Sequence, residues 1–466
     1  MEPDTPKSGI LQRLGIAGLT AIEAPIVAAL ATNSPLLLIG SHGTAKSLLL
    51  TRIAEALELK FRHYNASLLN FDDLVGFPLP SKDGSLEYVR TPAAIWGAGA
   101  VIFDEISRCR PDIQNKMFPI IHERKVQGIS LDELQHRWAA MNPPALDDDD
   151  DDPYSGSEPL DAALADRFPY VVTMPSWDAF GQADQMAVIR AQGGPVAPAD
   201  ARAFAAIIKR TKDLLAAQPD TFTATAAEYT QTVVALLAQT GIVLSPRRAN
   251  MLWRGVLAVN AASLALDANY NISDATWVAL RVHLPQRAQG IEIPEAKVLL
   301  AHRESMRLAK LSKKNPLRSI LRTSNPLERL RLATKNTLPK SEYSNVVADA
   351  IAMLQPGARE AAIVHVFETG AVGRLNAAVA AQTGEIYQDV AAPPTFSQTV
   401  HSNSAAFDTW SRIKDLLARL DPQQPRSHLH ANAMASLFLR SAIQSPAAAE
   451  AAFAAFADAD EVLRAS

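Results

Sequence analysis

The sequence predicts an α/β fold over residues 1–175 and an all-helical remainder. Residues 34–47, SPLLLIGSHGTAKS, pass from a short apolar run into a small glycine-bearing loop, and a helical pattern follows. Residues 100–105, AVIFDE, form a second apolar run that ends in two adjacent carboxylates, as expected of a buried parallel strand. Beyond Pro175 the strand patterns fade. We therefore predict an αβα core with a parallel sheet, followed by α-helical domains.

Composition describes an ordinary globular protein with room for about two to three domains. The 466 residues carry a formal net charge of −4, so the overall charge argues neither for nor against a nucleic-acid partner. The single cysteine, Cys109, excludes an intrachain disulfide framework and fits a reducing compartment. The N-terminus lacks the layout of a signal peptide, and no apolar run is long enough to span a bilayer. These features predict a cytoplasmic protein with no membrane insertion.

The glycine-bearing loop matches the phosphate-binding pattern G-x-x-x-x-G-K-[ST] at every position but one. Ala45 stands where the pattern has its second glycine, which is tolerable if the backbone φ of Ala45 is negative. Lys46 would reach the β- and γ-phosphate oxygens of a nucleotide, and Ser47 would hold Mg²⁺. The alternative is a chance glycine-rich turn. The residues predicted to bind the nucleotide are Gly40, Ser41, His42, Gly43, Thr44, Ala45, Lys46 and Ser47.

Two carboxylates and an amide are predicted to complete this site. Asp104 would bind Mg²⁺ through water, and Glu105 would polarise the attacking water, because phosphoryl transfer asks the protein mainly for positioning and charge stabilisation. Asn142 follows an apolar run at residues 138–141, and its amide could hydrogen-bond both the γ-phosphate and the water. The alternatives are a strand that runs into a solvated turn at Asp104 and an Asn-Pro pair that only starts a turn.

Further strands are predicted at residues 61–66 and in the segment FPYVV. Turn chemistry at Gly76 and Pro78 separates the first of these from residues 86–96, which we interpret as a short hairpin. A second hairpin is predicted at VQGIS, residues 126–130. The hairpin at residues 86–96 is a candidate contact surface.

Four helices are predicted beyond Pro175, at residues 200–217, 224–239, 246–267 and 274–284. The third begins SPRRANML, with Ser245 as an N-cap candidate and a proline at the first helical position. Arg247 and Arg248 then lie in the first turn, where positive charge opposes the helix dipole. An anion such as a phosphate is one partner for them, and an ordinary solvated pair is the alternative.

Two charged segments have no place in these motifs. Asp147 to Asp152 are six consecutive aspartates, which we interpret as a solvated loop. Residues 303–340 hold eleven Lys and Arg residues against Glu304 and Glu328 only, with many of the basic residues at helical spacing. The two segments could pair across the subunits of a ring, which gives the hypothesis of a salt-sensitive oligomer.

The motifs GSHGTAKS, VIFDEISRCRPDIQNKMFPIIHERKV, MNPP, LADRF and LSPRRA occur in the order and spacing of an AAA+ ATPase. Over residues 10–300 the chain most closely resembles the MoxR family, and the loop ending Ala-Lys-Ser resembles its RavA-like branch. The roles that the resemblance implies are Lys46 and Ser47 in Walker A, Asp104 and Glu105 in Walker B, Asn142 as sensor 1, Arg247 as sensor 2, and Arg167 as the arginine finger that acts on a neighbouring subunit. Arg108 and Arg110 are alternatives to Arg167 for the arginine finger.

The resemblance also implies a P-loop AAA+ αβα core at residues 1–175, a four-helix lid at residues 176–300, and ATP with Mg²⁺ as cofactors. Residues 301–466 match no feature of the family and are predicted to form a helical C-terminal domain of unknown role. Members of the family form hexamers and remodel a protein client together with a partner that carries a von Willebrand factor A domain. One alternative is a nucleic-acid-dependent ATPase that uses residues 303–340. Another is a nucleotide-gated scaffold, against which the intact Glu105 argues.

Overall fold

A five-stranded parallel β-sheet organises the first of two units in the computed structural model of the protein. The first unit is Met1–Lys310, and the second is Leu311–Ser466. The six aspartates, Asp147 to Asp152, lie outside the described residues, and the predicted domain boundaries at residues 175 and 300 stay predictions. The structure describes residues 9–80, 86–89, 91–145, 154, 156–191, 193–312, 314–323, 325–392 and 404–465.

The strands of the described chain are β1 (Leu36–Ile39), β2 (Phe61–Asn65), β3 (Phe77–Pro80), β4 (Leu86–Val89), β5 (Ala100–Asp104), β6 (Lys125–Val126), β7 (Ile129–Ser130), β8 (His136–Met141) and β9 (Tyr170–Thr173). One sheet has the order β2-β5-β8-β1-β9, and its neighbouring strands are all parallel. The carboxyl ends of its strands therefore meet at one side, here called the carboxyl edge, and the amino ends meet at the opposite side, the amino edge. Strands β1, β5 and β8 are buried along nearly their whole length, which explains why they appear in the sequence as short apolar runs.

Helices of the first unit cover the sheet and continue beyond it. The four predicted helices after Pro175 are confirmed as α8 to α11 below, with small differences at their ends. The helices of the first unit are α1 (Ile10–Arg13), α2 (Glu23–Ala31), α3 (Lys46–Ala56), α4 (Phe71–Val75), α5 (Pro111–Glu123), α6 (Ala162–Ala165), α7 (Gln182–Arg190), α8 (Pro198–Ala216), α9 (Asp220–Gln239), α10 (Pro246–Leu266), α11 (Ile272–Val282) and α12 (Glu295–Lys310).

Two hydrophobic clusters cover the two faces of the sheet. Residues of one face, such as Leu38 and Trp138, belong to a cluster that extends through α2, α3 and helices α8 to α12. Through residues such as Leu37 and Met141, the other face packs against α5 and α6. Neighbouring residues of one strand belong to different clusters because successive side chains point to opposite faces. The predicted fold class, a parallel sheet between helical layers followed by helical segments, is confirmed.

The structure corrects the hairpin predicted at residues 86–96. Strand β4 pairs antiparallel with the upstream strand β3, in the segment where a turn was expected. The prolines Pro78 and Pro80 lie in this two-stranded ribbon, where a missing N–H is tolerated because an edge strand leaves part of its backbone unpaired. Gly76, with φ 92°, ends α4 and leads the chain into β3. The second predicted hairpin is confirmed, since β6 pairs antiparallel with β7.

The second unit is helical throughout its described part. Its helices pack through hydrophobic clusters around residues such as Ile320, Tyr343 and Phe456. No helix among the described residues of either unit is long and apolar enough to cross a membrane. The helices of the second unit are α13 (Pro316–Arg322), α14 (Pro326–Lys335), α15 (Lys340–Met353), α16 (Ala358–Glu368), α17 (Ala377–Ala391), α18 (Ala405–Leu417), α19 (Ser427–Leu439) and α20 (Pro446–Arg464).

Several arginines of the basic stretch 303–340 have structural partners within the chain. Arg318 and Arg329 are buried, and each donates to a backbone carbonyl oxygen. Arg331 pairs with Glu328 across one helical turn. The stretch therefore exposes less positive charge than its sequence indicates.

Candidate nucleotide-binding site

The loop between β1 and α3 lies at the carboxyl edge and is fixed by the strands on both sides of β1. The N–H of Gly40 donates to the carbonyl of Met141 at 3.2 Å, and the N–H of Met174 donates to the carbonyl of Ile39 at 2.7 Å. A Cβ at Gly40 would lie 2.7 Å from the Cβ of Met174, so only glycine fits where the loop leaves the strand. Gly43 has φ 77°, which also favours glycine. The loop therefore brings its backbone close to any anion bound before α3.

Ala45 does not have the negative φ that was expected. Its φ is 62° and its ψ is 23°, in the left-handed region, where it caps the N-terminus of α3. This conformation costs a non-glycine residue about 1–2 kcal/mol, because the Cβ crowds a backbone oxygen. The loop thus keeps the left-handed turn that a glycine would allow, and it stores strain next to Lys46.

Lys46 is buried in the centre of this edge. Its Nζ donates to the carbonyl oxygens of Gly40 and Ser41 at 2.7 and 2.9 Å and to the Oδ1 of Asn142 at 3.1 Å. Burial lowers the pKa of Lys46, and the nearby carboxylates Glu105 and Asp104 act in the opposite direction. The ammonium group is held inside the loop, where it can reach phosphate oxygens.

Ser47 and Asp104 form the second part of the edge. The hydroxyl of Ser47 donates to the Oδ2 of Asp104 at 2.6 Å, and the Nε2 of His63 lies 3.3 Å from the same oxygen. Burial raises the pKa of Asp104, but the hydrogen bonds from His63 and Ser47 outweigh it, and the net pKa lies below its ordinary value. Asp104 is therefore held as a carboxylate.

The oxygens of Ser47 and Asp104 fit a Mg²⁺ ion. Hydroxyl and carboxylate oxygens are ligands that this ion prefers, and it usually completes its shell with phosphates and water. Within the described part of the chain, no group of three or more His, Cys, Asp or Glu residues could hold a metal.

Glu105 and Asn142 face each other beside Lys46. The Nδ2 of Asn142, which is fully buried, donates to the Oε2 of Glu105 at 3.3 Å, and the Nε of Arg108 lies 3.4 Å from the same oxygen. Glu105 has φ 54° and starts the short 3₁₀ turn Ile106–Arg108. The site thus contains a second non-glycine residue in the left-handed region. The structure brings together the predicted loop, both carboxylates and the amide.

One family model matches a segment that lies within the first unit. Residues 35–168 match the family model described as AAA domain (dynein-related subfamily). The matched residues include the phosphate-binding loop, both carboxylates and Asn142. A solved structure from Cytophaga hutchinsonii, provisionally named an ATPase, is 18% identical, with 65% of this chain and 93% of that chain covered and a TM-score of 0.45. The search of curated proteins found no match.

The two predicted arginines, Arg167 and Arg247, lie at the amino edge of the sheet. Both line a cavity of about 860 Å³, together with Ser34 and Pro35, which precede β1. The phosphate-binding loop follows β1, so the four residues of that strand, at about 3.3 Å each, separate the arginines from their own loop. Neither arginine belongs to the set of side chains around Lys46.

The cavity at the amino edge is strongly basic. No described Asp or Glu lines it. Burial lowers the pKa of His122, and the charges of Arg247 and Arg167 lower it further. The titratable or charged side chains that line the cavity are His122, Arg137, Arg167, Arg247, Arg254 and His283. Such a surface is suited to an anion.

The neighbouring residues Arg247 and Arg248, which the local helix-start pattern does not distinguish, have different surroundings. Arg248 is fully buried, pairs with Asp166 at 3.2 Å and donates to the carbonyl oxygens of Ala165 and Phe168 at 3.0 and 2.8 Å. Burial lowers the pKa of Arg248, and Asp166 opposes that effect. Arg247 is about half exposed and lies 3.6 Å from Asp166. Arg248 therefore holds the start of α10 against the loop that carries the predicted finger.

The contacts of Arg167 hold it against α5 and α6 beside the cavity. Its Nη1 donates to the carbonyl of Ala163 at 2.6 Å, and its guanidinium lies over the ring of Phe118, 4.4 Å from the centroid. The alternative finger Arg108 lies instead at the carboxyl edge, beside Glu105 of its own chain. The other alternative, Arg110, pairs with Asp112 at 3.2 Å on the surface.

His63 was missed by the sequence analysis. It lies on β2, in register with Ile102 of β5, so its side chain reaches the carboxylate at the end of the adjacent strand. Once the strand order is known, a polar residue on β2, the neighbour of the strand that ends in Asp104, is a signal that indicates His63.

Proposed function

We propose that the protein hydrolyses ATP as a ring-forming AAA+ ATPase and uses the energy to remodel a protein client. The AAA domain and the carboxyl-edge arrangement support the nucleotide part of this proposal. Loop backbone groups and Lys46 would bind the phosphates. Ser47 and Asp104 would hold Mg²⁺, which neutralises phosphate charge.

Glu105 and Asn142 would act on the water. Glu105 is the general base that orients and activates it, and the Asn142 amide fixes Glu105 from one side while its Oδ1 accepts a hydrogen bond from Lys46. Asn142 is thus hydrogen-bonded both to Glu105 and to Lys46, so it links the proposed base to the phosphate-binding lysine. The chemistry asked of the chain is positioning and charge stabilisation.

The observation that carries the ring proposal is the location of Arg167 and Arg247 at the amino edge. An arginine finger contributes about 10³–10⁵-fold to turnover in related phosphoryl-transfer systems. Arg167 is too far from the phosphate-binding loop of its own chain to act on a nucleotide bound there. A neighbouring subunit, placed with its nucleotide against the basic cavity, would complete the site.

The finer assignment is a MoxR-type ATPase of the RavA-like branch, assembled as a hexamer and acting with a partner that carries a von Willebrand factor A domain. Exposed apolar side chains on the two hairpins support a protein client. Phe77, Leu79 and Val89 on the β3–β4 ribbon are about half exposed, as is Ile129 on the β6–β7 hairpin. The structural partners of Arg318, Arg329 and Arg331 weaken the alternative of a nucleic-acid-dependent ATPase.

Mixed oligomers test the proposal directly. Arg167→Ala should keep nucleotide affinity nearly unchanged and lower ATP hydrolysis by about two orders of magnitude or more. Adding Lys46→Ala subunits, which cannot bind nucleotide but still carry Arg167, should restore part of the activity in a phosphate-release assay.

The matched control is the double variant Lys46→Ala/Arg167→Ala, which should restore nothing. Equal recovery with both added subunits, or no recovery in oligomers shown to be mixed, would contradict action across subunits.

A further inference from the structure

Ser157 lies between the two halves of the carboxyl-edge site. Its side chain is buried, and its hydroxyl hydrogen-bonds with the hydroxyl of Ser107 at 2.9 Å and donates to the backbone carbonyl of Asn142 at 3.2 Å. Ser107 belongs to the turn that begins at Glu105, and Asn142 directly follows β8. A single hydroxyl thus connects the segment that carries the carboxylate with the segment that carries the amide.

Backbone hydrogen bonds place Ser157 independently of its side chain. The N–H of Ala145 donates to the carbonyl of Ser157 at 2.9 Å, and the N–H of Glu158 donates to the carbonyl of Ser107 at 3.1 Å. Neither of these bonds involves a side chain. A substitution at Ser157 therefore tests the hydroxyl and leaves the docking of this segment in place.

The carboxylate of Glu105 needs such support. Its backbone is in the left-handed region, and its hydrogen bond from Asn142, at 3.3 Å, is long. A strained residue keeps its conformation only when the surrounding contacts determine it. Ser157 bonds to both sides of this pair without lying among the side chains that contact Lys46 or Asp104.

We propose that Ser157 is a positioning residue for hydrolysis, whose hydroxyl sets Glu105 relative to Asn142. This inference rests on the proposed function. Misplacing a reacting group by about 1 Å can cost about 10²-fold in rate. Loss of the hydroxyl should therefore act on turnover and spare nucleotide binding.

The experiment measures kcat and KM for ATP hydrolysis, and Kd for ATP by calorimetry, on the full chain. Ser157→Ala should lower kcat about 10- to 100-fold, with KM and Kd within about twofold of wild type. Ser157→Thr keeps a hydroxyl and should recover most of the lost kcat. Ser305→Ala is the matched control, because it removes an equally buried hydroxyl that bonds the Ala301 carbonyl at 2.7 Å in α12, and its kcat should stay at the wild-type value.

A double-mutant cycle separates positioning from general damage. Ser107→Ala should reproduce the loss seen in Ser157→Ala, and the double variant should lose no more than either single variant. An unchanged kcat in Ser157→Ala, or parallel losses of kcat and ATP affinity, would overturn the inference while leaving the proposed function standing. A wild-type protein without ATP turnover would overturn both.

Discussion

The carboxyl and amino edges of one parallel sheet carry charged side chains in opposite arrangements. At the carboxyl edge the side chains bond to each other, Lys46 to Asn142 and Ser47 to Asp104. At the amino edge Arg167 and Arg247 line a basic cavity. At the carboxyl edge Lys46 is enclosed by groups of its own chain, whereas at the amino edge Arg247 is about half exposed beside the cavity. On the proposed function, fixed geometry would matter at the edge where ATP is hydrolysed, and accessibility would matter at the edge where a neighbouring subunit docks.

The largest effect is expected at the carboxyl edge, where two substitutions separate binding from turnover. Lys46→Ala should abolish ATP binding, because it removes the buried cation beside the phosphates. Glu105→Gln should keep binding and lose turnover, since the amide cannot serve as a base. Calorimetry and a phosphate-release assay distinguish the two. Equal loss of binding in both variants would show that Glu105 has a structural role.

The second-largest effect is expected at the amino edge, where substitutions of two neighbouring arginines should change the free energy of unfolding by different amounts. Arg248→Ala should lower the free energy of unfolding by about 3–5 kcal/mol, because it breaks the ion pair with Asp166 and leaves the buried carbonyl oxygens of Ala165 and Phe168 without this donor. Arg247→Ala should change it by about 1 kcal/mol or less, since Arg247 is exposed and its ion pair is long. Urea denaturation followed by circular dichroism measures both. Similar losses of stability in the two variants would contradict the assignment of the structural role to Arg248 and not to Arg247.

The smallest effect concerns strain in the phosphate-binding loop. Ala45→Gly relieves a left-handed alanine and should stabilise the protein by about 0.5–1 kcal/mol after allowing for the greater entropy of glycine in the unfolded chain. Ala205→Gly, at an exposed position within α8, is the control and should destabilise by about 0.5–1 kcal/mol. Thermal unfolding reports the sign. A destabilised Ala45→Gly would show that the loop conformation carries no strain.

Most of the carboxyl edge could be predicted from the sequence because its residues directly follow strands that are apolar and short. The loop after β1, the carboxylates ending β5 and the amide after β8 each have a local signal, and the parallel sheet brings them together. Local signals did not indicate the sign of φ at Ala45 or the pairing of β4 with β3. Strand pairing depends on partners elsewhere in the chain, and the conformation of Ala45 depends on how the loop meets α3.

At the amino edge, Arg167 was identified only through the resemblance to a family, whereas Arg247 and Arg248 also had a local signal at the start of a helix. Sequence places Arg247 and Arg248 side by side, but only packing against Asp166 and the backbone of Ala165 decides which of them is buried. The bond between Ser107 and Ser157 joins residues 50 positions apart, so no local pattern contains it. Contacts of this kind follow from the fold and cannot be read before it.

The location of Arg167 has a consequence for populations of subunits. In the proposed ring, each working site needs the carboxyl edge of one subunit and the amino edge of its neighbour. If subunits lacking both Lys46 and Arg167 mix at random with intact ones, the number of working sites falls with the square of the intact fraction. A minority of defective copies would therefore silence more sites than their own number, and such a variant would behave as a dominant inhibitor of the intact protein.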